Sequence, residues 1–549
     1  MTRERRHGVT VTTVIFIHRK RTTPALYSFK MVQIACATDV EEGLYDAIVV
    51  VSDGIISLTK LDKLCPDLRG SIEAFSKIDH SLDKGKVSLI PTDKFHARRI
   101  VYASTGTVHK DFDDVRRYTK AGTAAAEASL SAGVRSPLLV VVPSERFPNA
   151  ALMAALGFLH ALYIPLNVVQ CDKPVPKVDL LGILEVDGTE YAAHRVPLPL
   201  VYLLQALQRS FDVTRDIGDG DPQRMCPAKV VEYVKGNFEN SSVRVSIIDD
   251  VEQIRRDYPL MSAVSRCANA IEEHKARLIW LEYDGGDETE TLYLVGKGVT
   301  FDSGGVDLKV GGAMHGMSRD KYGSAVVAGF FRALDELKPK GIKVVGCMCM
   351  CRNSIGSNAY TCDEIITSRS GQRVHVHNTD AEGRMAMADV LTEARERALK
   401  AKNPHLFTIA TLTGHLVLTY GHCSAAMDNG PARAAHYAEQ LQHTGDEFGQ
   451  PVEVSRLFSE DFDFHSAKCE AADLMQANTE PSARTRRGHM GPAAFLMRVS
   501  GVDKSGSDSA RPLKYTHMDI GVSMGEFPKT SFPAPLLALI AQHVLPKIG

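Results

Sequence analysis

The sequence predicts an α/β protein of two domains: an N-terminal α/β domain, then a C-terminal α/β domain with a central mixed sheet flanked by helices. Three observations lead there. At 549 residues the chain is too long for one compact core. Strand-like and helical runs alternate from Met31 to His194, and again from Ala228 onward. Between them, residues 195–218 read as a connecting helix and loop running into the turn-rich Gly218-Asp219-Gly220-Asp221-Pro222. The domains are therefore expected at 31–194 and 219–549.

Ahead of them, residues 1–30 carry Arg3, Arg5, Arg6, Arg19, Lys20 and Arg21 against the single acid Glu4. The apolar core there is short and has no clear cleavage site, so a poorly ordered basic extension is expected rather than a presequence. In the first domain, strands are expected at Ala47–Val51, Val87–Ile90, Arg99–Ala103, Leu138–Val142 and Leu180–Val186. Helices are expected at Asp111–Ser131 and Asn149–Ile164. The apolar stretch Ala150–Ile164 is interrupted by His160, stopped by Pro165 and too short to span a bilayer, which makes it a buried helix. No catalytic cluster falls in this domain.

The second domain opens with a helix over Ala228–Lys235 and strands at Val243–Ile248, Leu278–Tyr283 and Thr291–Val295. The last of these delivers Lys297 and Asp302 just past its carboxyl end, where open α/β sheets gather their ligands. A helix over Arg319–Leu337 follows, with Val326, Val327, Phe330, Phe331 and Leu334 on one stripe and Asp320 near its start. Then come a strand at Val344–Met350, a helix at Met385–Lys400, strands at Phe407–Ala410 and Tyr515–Ile520, and a helix at Pro535–Val544.

With 44% hydrophobic and 24% charged residues and a net charge of -2, the composition is that of an ordinary soluble globular protein, and nothing in it calls for nucleic acid or a membrane surface. The 11 cysteines are scattered without C-x-x-C spacing, which points to a reducing compartment and free thiols. Cys347, Cys349 and Cys351 alternate on one strand face and read as small buried hydrophobes, since three ligands along a straight strand do not converge on one ion. His375 and His377 also share a face, but nothing supplies a third ligand for zinc.

The chemistry concentrates in Asn378-Thr379-Asp380-Ala381-Glu382-Gly383-Arg384. Two carboxylates two residues apart, with a guanidinium two further on, are costly to hold together without a partner, and a divalent cation is the obvious one. With Asp302 and Asp320 upstream, four carboxylates suffice for two cations sharing bridging oxygens. Any one of these acids alone, in a glycine-rich loop, reads as a solvated turn residue.

Taken with Gly296-Lys297-Gly298-Val299-Thr300-Phe301-Asp302-Ser303-Gly304-Gly305, Lys309, Met317-Ser318-Arg319-Asp320 and Ala410-Thr411-Leu412-Thr413-Gly414, this heptapeptide resembles the leucyl aminopeptidase (cytosol aminopeptidase) family over roughly residues 210 to 545. The resemblance implies a metal-dependent exopeptidase that hydrolyses the N-terminal bond of small peptides. Asp302 and Glu382 would bridge two metal ions, zinc or manganese, with Lys297 and Asp320 completing the tighter site and Asp380 the more exchangeable one. Lys309 would stabilise the oxyanion, and Arg384 would hold a bicarbonate ion as general base. Met317, Asn378, Thr411, Leu412 and Gly414 would surround the substrate side chain and favour apolar N-terminal residues. It further implies a cytoplasmic homohexamer whose N-terminal domain serves assembly.

The chain departs from the family pattern in three places. It lacks the Asn-x-Pro-containing sequence near residue 218; its Asp320-to-Asp380 interval is one residue longer; and Lys321 and Tyr322 stand where a small, glycine-rich continuation is usual. Gly521-Val522-Ser523-Met524-Gly525 fits a serine-hydrolase elbow, but Pro528, Pro533 and Pro535 follow instead of a helix. No H-E-x-x-H or G-K-[ST] motif occurs. The alternative of a different class is a catalytically weak oligomeric scaffold or regulator that retains the fold, and retention of all seven charged site positions argues against it.

Overall fold

Runs of buried β-branched residues build the first sheet of this computed structural model, which describes residues 32–171, 175–186 and 198–548. The basic stretch 1–30 lies outside the described residues. Contacts divide the chain into two units: one holds the described residues up to Ile164, with further stretches as far as Gln205; the other holds Pro165–Cys171 and everything from Ala206 on.

The first unit has six strands, β1 (Gln33–Cys36), β2 (Ala47–Ser52), β3 (Val87–Pro91), β4 (Arg99–Ser104), β5 (Pro137–Val141) and β6 (Leu180–Glu185), in the order β1-β6-β5-β2-β4-β3. All neighbours run parallel except β3, which is antiparallel to β4. Every residue of β2 and β5 is buried, as expected of parallel strands covered on both faces. The helices Arg116–Ser131 and Ala150–Leu162 pack on each other so closely that a Cβ on Gly122 would stand 2.0 Å from the Ala154 carbonyl oxygen, and one on Gly157 2.1 Å from that of Thr119. The first of these helices starts at Arg116 rather than Asp111, and just ahead of it the Asp114 carboxylate accepts the Arg116 N–H at 2.9 Å. Ala150–Cys171 is long and apolar enough by composition to cross a membrane. Its helix nevertheless ends at Leu162, ahead of Pro165, with ten of thirteen residues buried, the pattern of a core helix.

The second unit carries an eight-stranded mixed sheet. Its strands are β7 (Arg244–Ile248), β8 (Arg277–Asp284), β9 (Glu290–Asp302), β10 (Ile342–Asn353), β13 (Pro404–Ala410), β14 (Ser424–Asp428), β15 (Val452–Val454) and β17 (Lys514–Asp519), in the order β15-β14-β17-β13-β9-β10-β8-β7. A small second sheet joins β11 (Ile365–Thr367), β12 (Arg373–His375) and β16 (Leu474–Met475). The central strands β10, β9, β13 and β17 run parallel, while β7, β8 and β14 supply the antiparallel pairings.

Successive residues of β9 point to opposite faces. Gly296 meets Ser324 of the helix Tyr322–Leu337, and Lys297 meets Gly383 of the helix Glu382–Ala398, so the two helices cover opposite sides of the strand. Two expectations are corrected here. The strand expected to end at Val295 runs on to Asp302, since β10 pairs with it as far as Asp302 and β13 as far as Gly296. Lys297 therefore lies within the strand and Asp302 is its last residue. The helix expected from Met385 starts at Glu382, which places Glu382 and Arg384 in its first turn.

Candidate metal centre and active site

Four elements meet at the carboxyl end of the parallel strands. β9 brings Lys297 and Asp302; the 3₁₀ turn Met317–Arg319 brings Met317 and leads into Asp320; the helix Glu382–Ala398 brings Glu382 and Arg384; and the segment after β13 brings Thr411, Leu412 and Gly414. Together with Lys309, Asn378 and Asp380, all twelve of the residues singled out from the sequence line one cavity of about 560 Å³.

Asp302, Asp320 and Glu382 are buried, and each offers a carboxylate oxygen within 4.8 Å of the others. Lys297 Nζ stands 2.7 Å from Asp320 Oδ1 and 2.8 Å from Glu382 Oε1, and donates to the Thr411 carbonyl at 2.9 Å. Lys309 Nζ stands 2.9 Å from Asp302 Oδ2 and 2.5 Å from Asp380 Oδ1. Burial pulls both ammonium groups down, but the surrounding carboxylates outweigh it and hold both lysines above their ordinary pKa. Burial and the neighbouring Asp302 and Glu382 push Asp380 up to about 7, against the pull of Lys309. Asp320 is raised by burial in the same way, with Lys297 opposing.

These groups fit a divalent metal. Asp320 Oδ1 accepts from Thr411 Oγ1 at 2.8 Å, while its buried Oδ2 has no hydrogen-bond partner. Four carboxylates against two ammonium groups also leave net negative charge in a place where burying it is costly. The Arg384 guanidinium is buried, donates Nη1 to the Gln476 carbonyl at 3.1 Å and leaves Nε without a partner. Burial lowers its pKa to about 10, so it remains a cation suited to an anion.

Among the residues that support the site, Asn353, Gln476 and Asp519 escape a reading of the sequence. Asn353 Nδ2 donates to Asp302 Oδ1 at 2.8 Å and to the Thr379 carbonyl at 3.1 Å. The Gln476 amide accepts from the Asn378 N–H at 3.1 Å and donates to the Asn378 and Ala381 carbonyls at 2.8 and 2.9 Å, so it fixes the acidic heptapeptide from outside. Asp519 accepts from Thr413 Oγ1 at 2.6 Å and the Leu412 N–H at 3.2 Å, and so holds the loop that lines the cavity. Lys321, next to Asp320 and noted above as a departure from the family pattern, is completely buried, and desolvation draws its pKa down to about 7. The basic loop Arg484–His489 borders the same cavity through Thr485, Arg486, Arg487 and Gly488, with Arg487 paired to Asp461 at 2.7 Å.

A mixed sheet that presents buried carboxylates and lysines to one cavity at its carboxyl end is the arrangement of a candidate metal centre. The comparisons with known proteins narrow the class. The model of the cytosol aminopeptidase family, catalytic domain, matches residues 212–534. A Caenorhabditis elegans protein named "Putative aminopeptidase W07G4.4" is 51% identical over 529 residues, covering 95% of this chain and 100% of that protein. Among solved structures, a mutant of tomato leucine aminopeptidase superposes with a TM-score of 0.74 at 20% identity, covering 94% of this chain and 97% of that one. The bottromycin maturation enzyme BotP in complex with Mn superposes with a TM-score of 0.71 at 19% identity, covering 91% and 99%. At those identities the two structures show the shared fold. The chain belongs to the cytosol aminopeptidase family: it is a metal-dependent aminopeptidase, a hydrolase acting on peptide bonds.

Proposed function

We propose that the protein releases the N-terminal residue from small peptides, using two divalent ions, Zn²⁺ or Mn²⁺, held by Lys297, Asp302, Asp320, Asp380 and Glu382. The observation that carries this reading is the buried trio Asp302, Asp320 and Glu382, with oxygens within 4.8 Å of one another, on the wall of a cavity large enough for a short peptide. Asp302 and Glu382 would be shared between the ions, Lys297 and Asp320 would complete one site, and Asp380 the other. Ions bound there would supply Lewis acidity to a water and to the scissile carbonyl.

Everything else falls to the chain's own residues. Lys297 can serve a metal only as the free amine, so its Nζ has to give up the proton that the carboxylates otherwise retain there. Lys309 keeps its proton and donates to the oxygen of the carbonyl under attack as charge develops on it. Arg384, with Nε free and a planar fork of donors, would hold a bicarbonate ion, which supplies a general base. Met317 and Leu412, with Asn378, Thr411 and Gly414, would face the substrate's first side chain and favour apolar ones. A cytoplasmic location and short peptides as partners complete the reading.

Metal-stripped protein is expected to lose release of the N-terminal amino acid from a leucyl dipeptide, and to regain it with Mn²⁺ or Zn²⁺. Full turnover in the stripped protein would refute the two-metal reading. Absence of turnover in the metal-loaded protein would leave the fold as an oligomeric scaffold.

A further inference from the structure

Between Ser318 and Tyr322 the side chains divide into two sets. Asp320 faces Thr411 and Lys297 in the cavity. Arg319, Lys321 and Tyr322 reach instead to the end of the helix Leu200–Asp219 and to the segment 525–531. Arg319 Nε lies 2.9 Å from Asp219 Oδ1, and its Nη1 and Nη2 donate to the Gly525 carbonyl, at 3.1 Å, and to the Lys529 carbonyl. Tyr322 Oη donates to Ser531 Oγ at 2.7 Å, and Ser531 N and Oγ each donate to Asp219 Oδ2 at 2.9 Å. Lys321, 0% exposed, donates Nζ to the Gly220 carbonyl at 2.7 Å and to the Ser318 carbonyl two residues ahead of Asp320.

We propose that Lys321 is a positioning residue for the metal centre: by tying the Ser318 carbonyl to Gly220, it fixes the turn that presents the Asp320 carboxylate to Lys297 and Glu382. The inference rests on the reading of Asp320 as a metal ligand. A buried cation satisfied by backbone carbonyls is costly, and a cation beside a dication site is repelled by the metal through space. Charge alone therefore gives Lys321 no favourable effect on metal binding, whereas geometry does, since groups that orient a ligand contribute strongly to metal affinity.

The two effects have opposite signs, which makes the test sharp. Mn²⁺ is titrated into metal-stripped parent, Lys321→Met and Asp320→Asn proteins, with the melting temperature of each metal-free protein recorded as the check on folding. Positioning predicts that folded Lys321→Met binds Mn²⁺ at least about tenfold more weakly. Affinity equal to or tighter than the parent's overturns the inference. If Asp320→Asn loses a site while Lys321→Met binds like the parent, only the positioning role falls; if Asp320→Asn also binds like the parent, the ligand reading falls with it. Should Lys321→Met not fold, Lys321→Leu, which removes the same two hydrogen bonds, takes its place with the same two outcomes.

Discussion

Lys309 and Arg384 are cations of the same cavity with different surroundings, and each calls for its own prediction. Lys309 Nζ stands between two carboxylates, Asp302 and Asp380, at 2.9 and 2.5 Å, and burial has not cost it its proton. In the proposed reaction it donates to developing negative charge and holds no metal. Lys309→Ala is expected to lower kcat by on the order of a hundredfold, the usual loss for an oxyanion donor, with bound metal measured by atomic absorption unchanged. Arg384→Ala is expected to lower turnover with metal content again unchanged, because its Nη1 donates to the Gln476 carbonyl rather than to the carboxylate trio. A kcat near the parent value for Lys309→Ala would remove its proposed role.

At the scale of elements, the site depends on how closely one helix lies on the sheet. A Cβ on Gly323, in the first turn of the helix Tyr322–Leu337, would stand 2.0 Å from the Ile409 carbonyl oxygen of β13 and 3.0 Å from the Lys297 amide nitrogen of β9. Both obstacles are backbone, so neither can turn aside. Gly323→Ala is expected to destabilise the protein by about 3 kcal/mol or more, at the upper end of overpacking effects, and a denaturation midpoint within experimental error of the parent's would contradict it. This approach could not be read from the sequence, where Gly323 is only the residue after Lys321 and Tyr322, ahead of the apolar stripe that begins at Val326. The charged site was legible because most of it is contiguous: Asp380, Glu382 and Arg384 fall in one heptapeptide, and Lys297 and Asp302 in one decapeptide. Asn353 and Gln476 were not, because each is a lone amide that reaches Asp302 or Asn378 only through sheet register or through a loop about a hundred residues away. The strand end was misread for a related reason. Gly296, Lys297 and Gly298 weaken a strand pattern taken alone, and pairing of β9 on both flanks overrides that local preference.

For the whole molecule, the question is what would restrict the proposed peptidase site to short peptides. Beside Lys309, the loop after β9 exposes Val306, Leu308 and Val310 at 43%, 46% and 75%. Apolar side chains grouped in this way on a loop at the rim of a cavity are the kind of surface that association covers. Closed symmetric assembly is the usual outcome for soluble homo-oligomers, and the hexamer that the sequence resemblance implies is the number proposed. In a homohexamer with the cavities turned inward, only peptides small enough to enter would reach Asp320 and Lys309, and folded proteins would be spared without any specificity pocket to exclude them. Light scattering in solution is therefore expected to give a mass near six times 60.0 kDa. Turnover is expected to fall steeply between dipeptides and a small folded protein with an accessible N-terminus. A monomer that cleaves dipeptides at the full rate would remove the assembly, and cleavage of the folded substrate by the hexamer would remove the size filter while leaving the assembly in place.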